Sequence, residues 1–431
     1  MSKKMHLAVF AQGVGVAQSV WRSPRTNPLT MHSFDHWSSV ARTAERGLFD
    51  AFFIADALNL SPAIATDSTD RPDPIAVLSA LSVVTERIGL IGTSSTTYND
   101  PYTVARQFAT LDHLSQGRAS WNIVTTAIPA AAENYGSSKL PDHEDRYVRG
   151  EEFVDVVQAL WDGWDAEAIV ADRANGVWTD NSRIRRINHH GAHFDVEGPL
   201  TIPRSPQGRI PLAQAGSSPS GMKLAARVAD LVFTTQHTIP DAVDFAEGVR
   251  SLAEGSGRSR RDVKILPGVT PIIGATESEA RELAAELGSF VGEQATLKVL
   301  NQTFGGLDLE SLDLDEPFPD LRNELPRNAS ISRPTLLIEI ALREGLSVRQ
   351  LAQRVSLSIG HRTLVGTSDS VADDLQAWFE AGAADGFIIL PADLPIGLEQ
   401  FVDNVIPRLQ DRGLFRTAYQ GRTLRDHLNE H

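Results

Sequence analysis

Short apolar runs alternate with amphipathic stretches along the chain, and this rhythm predicts strands that alternate with helices. In the first part of the chain, the apolar runs predict strands at residues 6–10, 51–56, 87–95 and 119–124. Between these runs, helical periodicity predicts helices at residues 34–46, 74–85 and 103–114. A strand followed by a helix and another strand is typical of a parallel sheet with helices packed outside it.

The second half of the chain continues the pattern, with strands predicted at residues 210–215, 231–234, 263–273 and 386–390. Eight such strands favour an α/β fold of the (β/α)₈ TIM barrel type over a doubly wound sheet. Two long insertions, after the fourth and seventh strands, interrupt the rhythm at about residues 125–209, with a helix predicted at 151–161, and 289–360. Because barrel active sites lie at the C-terminal ends of the strands, we expect both insertions to cover the site and residues 1–431 to form one domain.

The composition excludes several classes of protein. A formal net charge of −15 on 431 residues argues against a nucleic-acid partner, which would require a basic face. The absence of cysteine excludes disulfides, thiolate metal ligands and a cysteine nucleophile. No apolar run reaches the roughly 18 residues that a membrane span needs, and no basic leader precedes the first strand. We therefore expect a soluble, cytoplasmic protein without a membrane partner.

A serine-rich turn lies between a predicted strand and a predicted helix, at residues 213–221, Ala-Gln-Ala-Gly-Ser-Ser-Pro-Ser-Gly. Ser218 suits the N-cap of that helix, Pro219 its first position, and Gly216 a close approach of the backbone to a bound group. The N–H groups of the helix start and the hydroxyls of Ser217 and Ser218 predict a phosphate site without a lysine. A turn that only caps its own helix is the alternative interpretation.

Two polar residues lie at predicted barrel strands. Asp56 ends the second strand, where a barrel contacts its ligand, although aspartate is also a common turn cap. Asn122 lies within the fourth strand among apolar neighbours, and its amide needs partners such as the N–H and C=O groups of a heterocycle. A core amide that the protein itself satisfies is the alternative.

The segment from Asp142 to Tyr147, Asp-His-Glu-Asp-Arg-Tyr, follows a proline and predicts a helix start. Asp142 suits the N-cap, with Asp145 as the acidic partner of a capping box. Helical spacing then places His143, Arg146 and Tyr147 on one face, which would suit a phosphate or a flat polar ring. A solvated helix face is the alternative.

Two other patterns, a group of histidines and an apolar loop, bear on metal binding and on the substrate. His189, His190 and His193 lie in a polar loop without a carboxylate at ligand spacing, so we expect no metal there. The loop after the first strand, residues 10–25, is largely apolar around Val14. We expect this loop to line a substrate pocket for a neutral, sulfur-containing or ring-containing molecule.

Ordered motifs along essentially the whole chain resemble those of the bacterial luciferase-like flavin monooxygenases. The likeness is greatest to their two-component branch, which includes nitrilotriacetate monooxygenase component A, dibenzothiophene-sulfone monooxygenase and the pristinamycin IIA synthase large subunit. The matching segments include Ala-Glu-Arg-Gly-Leu-Phe-Asp-Ala at 44–51, Thr-Thr-Tyr-Asn-Asp-Pro-Tyr at 96–102, Gly-Arg-Ala-Ser-Trp-Asn-Ile-Val-Thr at 117–125, Glu-Asp-Arg-Tyr at 144–147, Gln-Ala-Gly-Ser-Ser at 214–218 and Ala-Asp-Gly-Phe at 384–387. So many motifs in order are more specific than any one of them.

The resemblance implies that the barrel binds FMN at the C-terminal ends of its strands. It assigns the phosphate to Tyr147, Ser217 and Ser218. It assigns the ribityl chain and the isoalloxazine to Asp56, Thr97, Asn122 and His143, with Arg146 nearby. Any hydroxyl from Ser94 to Thr97 could take the place given to Thr97. His143 is also the candidate catalytic residue, which would tune protonation near the flavin.

The resemblance also implies a reaction. Reduced FMN from a separate NAD(P)H-dependent flavin reductase would react with O₂, and a flavin peroxide would oxygenate a small organic substrate. The insertions would exclude water from this chemistry, and the chain would form a homodimer or homotetramer. Hydride transfer with deazaflavin F420, a non-catalytic flavin-binding protein and a sugar-phosphate barrel enzyme are the alternatives.

Overall fold

The computed structural model of the chain describes residues 3–68, 70–292, 297–298, 300–301, 303–309, 311–325 and 332–430. The strands are β1 (His6–Phe10), β2 (Ala51–Ile54), β3 (Gly89–Ser95), β4 (Ala119–Val124), β5 (Ile169–Asp172), β6 (Val177–Thr179), β7 (His189–His190), β8 (Asp195–Val196), β9 (Leu212–Ala215), β10 (Leu231–Thr234), β11 (Lys264–Ile273), β12 (Arg362–Gly366) and β13 (Gly386–Ile389). The helices are α1 (Phe34–Arg46), α2 (Pro74–Leu81), α3 (Pro101–Leu114), α4 (His143–Trp161), α5 (Pro219–Val228), α6 (Ile239–Gly255), α7 (Glu277–Ser289), α8 (Ser332–Glu344), α9 (Val348–Ser358), α10 (Ser368–Glu380), α11 (Ile396–Gln400), α12 (Ile406–Asp411) and α13 (Leu424–Leu428).

Eight parallel strands close into a barrel. The order around the ring is β1, β2, β3, β4, β9, β10, β11 and β13, and β13 pairs back with β1. These are the eight strands that the sequence predicts, and their observed bounds lie within the predicted ranges. The predicted (β/α)₈ barrel is therefore confirmed.

A ninth parallel strand, β12, joins the sheet outside the ring. It pairs with residues 269–273 of β11, whereas β10 pairs with residues 264–267 and β13 with Gly268 and Val269. No strand is predicted here, because Arg362–Gly366 carries little apolar periodicity. The extra strand extends the sheet at the C-terminal end of the barrel.

Side chains of the ring strands alternate between two apolar cores. In β1, Leu7 and Val9 pack outward in the core that the surrounding helices share, whereas Ala8 and Phe10 belong to a separate core inside the barrel. Phe53 of β2 belongs to the same inner core. A strand buried on both faces forms this way, because alternate residues point to opposite sides of a barrel wall.

The first insertion lies between β4 and β9. It contains α4, which runs without a break from His143 through the predicted 151–161 helix, and two short hairpins, β5–β6 and β7–β8. The helix packs against α3 and α5, which flank neighbouring strands of the ring. The first turn of α4 therefore lies near the C-terminal ends of β4 and β9.

The second insertion follows α7, and parts of the predicted 289–360 segment lie outside the described residues. Its described part has a small apolar core of its own, in which Phe304 and Phe318 pack with Leu337 of α8 and Leu351 of α9. The helices α8 and α9 lead directly into β12 at the barrel mouth. Among the described helices, none is long and apolar enough to cross a membrane.

Candidate active site at the barrel mouth

The serine-rich turn forms the start of α5 as the sequence predicts. Ser218 is the N-cap, and its Oγ accepts a hydrogen bond from the backbone N–H of Gly221 at 3.1 Å, with Pro219 in the first turn. Ser217 turns toward the next strand, and its Oγ lies 3.2 Å from Thr234 Oγ1 at the end of β10. The turn thus presents two hydroxyls beside a helix N-terminus, which favours an anion.

The phenol of Tyr147, in the first turns of α4, lies directly over this turn. A Cβ atom on Gly221 would be 3.1 Å from Tyr147 Oη, and one on Gly216 would be 3.6 Å from it. Because these two glycines have no Cβ, the phenol and a bound group can both fit above the turn. The structure brings Tyr147, Ser217 and Ser218 together, although they come from two separate segments of the sequence.

Close to the same turn, Gln214 in β9 is a buried amide that the sequence analysis did not single out. Its Nε2 donates to Ala215 O at 3.1 Å, and its Oε1 has no hydrogen-bond partner among the described residues. A Cβ on Gly216 would lie 2.9 Å from Gln214 Nε2, which places the amide under the turn. The signal that drew attention to Asn122, a polar residue within an apolar strand, applies equally to Gln214.

The first turn of α4 arranges three predicted residues. The rings of His143 and Tyr147 lie 4.8 Å apart, and Arg146 is buried beneath them, where its Nη1 donates to the carbonyl of Thr126 after β4. Burial lowers the pKa of His143, and the charge of Arg146 lowers it further while Glu144 opposes the shift. His143 is therefore neutral near pH 7.

The predicted capping box at this helix start is wrong. Asp142 occupies the N-cap position, but its side chain makes no capping hydrogen bond, and the box with Asp145 does not form. The charge of Asp142 instead interacts with Arg146 one turn along the helix, where it opposes the lowering of the guanidinium pKa by burial. A buried arginine next to the N-cap thus competes for the carboxylate.

Asn122 provides a half-satisfied amide inside the barrel. It is buried, and its Nδ2 donates to Thr93 Oγ1 at 2.9 Å, while Thr93 Oγ1 donates to Ile54 O at 3.0 Å. Its Oδ1 has no hydrogen-bond partner among the residues that the structure describes. Leaving a buried acceptor unpaired costs about 1–3 kcal/mol, so this oxygen is suited to accept an N–H of a bound ring.

Asp56 follows β2 on the same side of the mouth. Burial raises the pKa of its carboxyl to about 6, the neighbouring charge of Asp73 raises it further, and the N–H of Ala57 opposes the shift. The carboxyl also raises the pKa of Tyr135 in the first insertion, so the two groups are near each other. Asp56 can therefore either donate or accept a proton close to neutral pH.

Thr97 connects two loops of the mouth by a hydrogen bond. Its Oγ1 donates to Thr125 O at 2.8 Å, and a cavity of about 480 Å³ opens beside it, lined also by Tyr98, Tyr135 and Arg146. The rings of Tyr98 and Tyr135 stack 4.5 Å apart at this cavity. The tyrosines were not predicted, because only the folded insertion brings Tyr135 to the strand ends.

The loop after β1, which we expect to line a substrate pocket, contributes apolar side chains to a core. Val14 and Val20 are buried in a small core with Ile272 and Leu287, so they pack against the sheet extension and α7. Their apolar character therefore reflects packing and carries no information about the substrate.

The histidines of the first insertion pair with carboxylates that the sequence did not place near them. His189 Nε2 lies 3.0 Å from Glu152 Oε1 of α4, and His190 Nδ1 lies 2.9 Å from Asp195 Oδ1. The pairs do not converge, and within the described ranges no group of three or more His, Cys, Asp or Glu side chains could hold a metal.

Comparison with known proteins identifies the family of this barrel. The description "Luciferase-like monooxygenase" belongs to the family model that matches residues 5–385. N-acetyl-S-(2-succino)cysteine monooxygenase of Bacillus subtilis (strain 168) is 41% identical over 426 residues, which cover 99% of this chain and 96% of that protein. Nitrilotriacetate monooxygenase component A of Aminobacter aminovorans is 43% identical over 441 residues, with the same coverage of both chains.

Solved structures agree with the sequence relatives. Riboflavin lyase, in a structure with modified FMN and substrate riboflavin, matches with a TM-score of 0.88 at 30% identity, covering 99% of this chain and 96% of that one. An F420-dependent secondary alcohol dehydrogenase matches with a TM-score of 0.57 at 14% identity, covering 93% of this chain and 98% of that one, which shows the fold alone. The resemblance drawn from the sequence motifs is confirmed, and the chain belongs to the luciferase-like monooxygenase family.

Proposed function

We propose that this chain is the oxygenating component of a two-component monooxygenase. It would take reduced FMN from a separate NAD(P)H-dependent reductase and use O₂ to oxygenate a small organic substrate. Membership of the luciferase-like family and full-length relatives that are monooxygenases support a flavin-dependent monooxygenase. The observation that carries the proposal is the convergence of Tyr147, Ser217 and Ser218 on one helix start beside the buried, half-satisfied Asn122.

The residues at the mouth fit the chemistry of FMN. Tyr147, Ser217 and Ser218 would hold the phosphate through hydroxyl groups and the start of α5. The unpaired Oδ1 of Asn122 would accept an N–H of the ring, and Asp56, Thr97 and His143 would contact the remainder of the cofactor. When bound in its reduced form, FMN supplies the electrons for O₂ activation, so that one oxygen atom enters the substrate and the other leaves as water.

The chain itself would orient the reactants, exclude water and control protons. We expect the two insertions to cover the mouth, and Arg146 of the first insertion donates to the carbonyl of Thr126 just after β4. His143, held neutral by burial and by Arg146, would accept a proton at its ring nitrogen near the cofactor. The carboxyl of Asp56 is a second group at the mouth that gains or loses a proton near pH 6.

Hydride transfer with F420 is the second candidate on this fold. The structural similarity to an F420 enzyme is limited to the fold, whereas relatives that match over the full length are monooxygenases. A non-catalytic flavin carrier would have no need of two insertions at the barrel mouth. Oxygen-dependent product formation separates monooxygenation from both alternatives.

We also propose that the chain assembles as a homodimer or homotetramer. The hairpin β5–β6 projects apolar side chains into solvent, including Ile169, Val170, Val177 and Trp178, of which Trp178 is 66% exposed. Exposed apolar patches of this kind favour an interface between proteins. Light scattering of the wild type and of Trp178→Glu tests this point: we expect an oligomer that the variant weakens, and a monomeric wild type would contradict it.

We also propose a cytoplasmic location, because the reductase that would supply reduced FMN uses NAD(P)H.

The direct test of function mixes the purified chain with reduced FMN under anaerobic conditions and then admits O₂. We expect the bound FMN to return to its oxidised absorbance more slowly than free FMN, since the covered site excludes water and stray protons. Isotopically labelled O₂, offered with a panel of thioethers and organic acids, should place one labelled atom in a product. Reoxidation at the rate of free FMN, with all O₂ recovered as hydrogen peroxide, would overturn the proposal.

A further inference from the structure

A second group of polar residues lies at the barrel mouth, on the side of the second insertion, and the FMN site leaves it unused. It consists of Thr235 and His237 after β10, Arg333 in the first turn of α8, and His361 just before β12. No local motif in the sequence links these residues, because they are spread over more than a hundred residues of the chain. Only the fold brings them together.

The His361 ring lies at the open end of the barrel interior. It stacks on Phe233, with ring centroids 4.9 Å apart and planes at 11°. Phe233 in turn lies 5.9 Å from Phe53 and 6.3 Å from Phe10, which belong to the inner core. A Cβ on Gly268 of β11 would lie 2.6 Å from His361 Nδ1, so this strand approaches the imidazole closely. The aromatic rings form a floor that extends from β2 to β10.

Hydrogen bonds determine which atoms of this group can donate. Arg333 Nη2 lies 3.4 Å from His361 Nε2, and a guanidinium can only donate, so Nε2 is the acceptor. His361 Nδ1 then carries the proton and donates to Thr235 Oγ1 at 3.1 Å. The hydroxyl hydrogen of Thr235 is thereby left for another acceptor. Arg333 and Thr235 both offer donors, while His361 is neutral and links them.

Arg333 differs from the nearby arginines Arg354 and Arg362, which each form an ion pair with a carboxylate. Arg354 pairs with Glu344 at 2.6 Å, and Arg362 pairs with Asp374 at 2.5 Å. Within the described part of the chain, Arg333 is half-buried and forms no ion pair, and burial alone lowers the pKa of its guanidinium. It also lies in the first turn of a helix, where the helix dipole adds further positive potential. A partly buried cation in this setting favours an anion from outside the chain.

The turn before His361 is shaped to admit the arginine. Gly360 has φ +81°, and a Cβ there would lie 3.2 Å from Arg333 Cδ, so glycine is needed for both the backbone and the contact. His237 Nε2 donates to Gly360 O at 3.1 Å and braces the turn, while its Nδ1 is buried without a hydrogen-bond partner in the described residues. Burial and nearby arginines lower the pKa of His237 to about 4, so it adds no charge.

We propose that Arg333 and Thr235 bind a carboxylate group of the substrate, with His361 as the residue that positions both donors. This inference rests on the proposed function and specifies its substrate class as small organic acids. The guanidinium would bind the carboxylate through two parallel N–H donors, and the floor of Phe10, Phe53 and Phe233 would contact the apolar part of the molecule. It replaces the neutral substrate that the sequence of the first loop predicted.

The test measures binding of organic acids to the flavin-free protein, so it does not depend on oxygen chemistry. Benzoate, succinate and 4-(methylthio)butanoate, each compared with its amide, are titrated calorimetrically into the wild type, Arg333→Gln, Arg333→Lys and Thr235→Val. Arg322→Gln is the matched control, because Arg322 is an exposed arginine of the same insertion that pairs with Asp320. FMN affinity is measured for every variant in parallel.

We expect the wild type to bind at least one acid about tenfold or more tightly than its amide, since charge-assisted hydrogen bonds are the strong ones. Arg333→Gln should abolish this preference, Arg333→Lys should keep part of it, Thr235→Val should reduce it, and Arg322→Gln should leave it intact. Wild-type protein that binds none of the acids, or that binds acid and amide equally, overturns the inference, as does a preference that survives in Arg333→Gln. Loss of FMN binding with the acid preference retained would instead count against the proposed function alone.

Discussion

The two sides of the barrel mouth offer different donors to an anion. The cofactor side, formed by Asn122, Tyr147, Ser217 and Ser218, presents hydroxyls and a helix start. The insertion side, formed by Thr235, Arg333 and His361, presents a guanidinium without a carboxylate partner in the described residues. Hydroxyls and backbone N–H groups at a helix start suit a phosphate. The guanidinium, which we propose to bind the substrate, would instead favour a carboxylate over an uncharged group. On these two proposals, the mouth separates cofactor binding from substrate binding by the type of donor.

The largest expected effect follows from removing the hydroxyls of the cofactor side. The double variant Tyr147→Phe/Ser218→Ala should weaken FMN binding by about 100-fold or more, because two hydrogen bonds to a charged phosphate are lost. Loss of the Ser218 N-cap should also destabilise the protein by about 1 kcal/mol. Titration of protein into FMN, followed by flavin fluorescence, measures the affinity.

Ser347→Ala is the matched control for this variant. Ser347 is the N-cap of α9 and accepts a hydrogen bond from Gln350 N at 3.2 Å, so its removal costs similar stability away from the cofactor side. FMN affinity should stay at the wild-type value in Ser347→Ala. An equal loss of affinity in both variants would mean that FMN responds to stability and does not contact the hydroxyls.

A smaller effect, on FMN affinity but not on stability, is expected for Asn122→Leu. FMN affinity should fall about tenfold, because the Oδ1 acceptor is lost. The flavin-free protein should keep its stability within about 1 kcal/mol, since the change also removes an unpaired buried oxygen and Thr93 still donates to Ile54. Urea unfolding with and without FMN measures both quantities. A large loss of flavin-free stability with unchanged FMN affinity would make Asn122 a structural amide only.

The stability of the flavin-free protein should depend on pH, because the carboxyl of Asp56 at the barrel mouth has a pKa of about 6. The pKa of folded Asp56 lies above the ordinary value of 3.8, so its contribution to stability is greatest below that pH and is lost as the pH rises through 6. After allowance for partial exposure, Asp56→Asn should gain about 1 kcal/mol relative to the wild type between pH 4 and pH 7. Urea unfolding of the flavin-free proteins at both pH values tests this, and a constant difference would contradict the raised pKa.

The smallest effect is expected for His143→Ala. His143 is only partly buried, so FMN affinity should change by about twofold or less. The role in proton control predicts instead that the yield of oxygenated product per reduced FMN falls, by a similar factor, while hydrogen peroxide rises. Product and peroxide are quantified together in single-turnover reactions. An unchanged product yield would remove His143 from the list of residues that affect the reaction.

Local signals in the sequence were sufficient for the ring strands and for the two helix starts. The alternation of apolar residues predicts all eight ring strands, and the order of serine, proline and glycine predicts the N-cap at Ser218. The pairing of Tyr147 with the serine turn is long-range, and only the motifs shared with the luciferase-like family indicated it. Taken separately, the serine turn could also only cap its own helix, and the start of α4 could also be a solvated helix face.

The insertion side was not predictable, because its chemistry depends on contacts between distant segments. Arg333 is one of many arginines in the sequence, and what distinguishes it is the absence of a carboxylate among its described neighbours. His361 precedes β12, a strand with little apolar periodicity, and no signal in the sequence places its ring on Phe233. In the first loop, the apolar residues that suggested a substrate pocket, such as Val14, are used for packing.

A crystal structure of the chain with bound FMN would show directly which residues hold the phosphate. We predict that the phosphate lies within hydrogen-bond distance of Tyr147 Oη and Ser218 Oγ at the start of α5, with an N–H of the ring near Asn122 Oδ1 and with Arg333 free of the cofactor. A phosphate bound by Arg333 on the insertion side, with the start of α5 empty, would contradict the account.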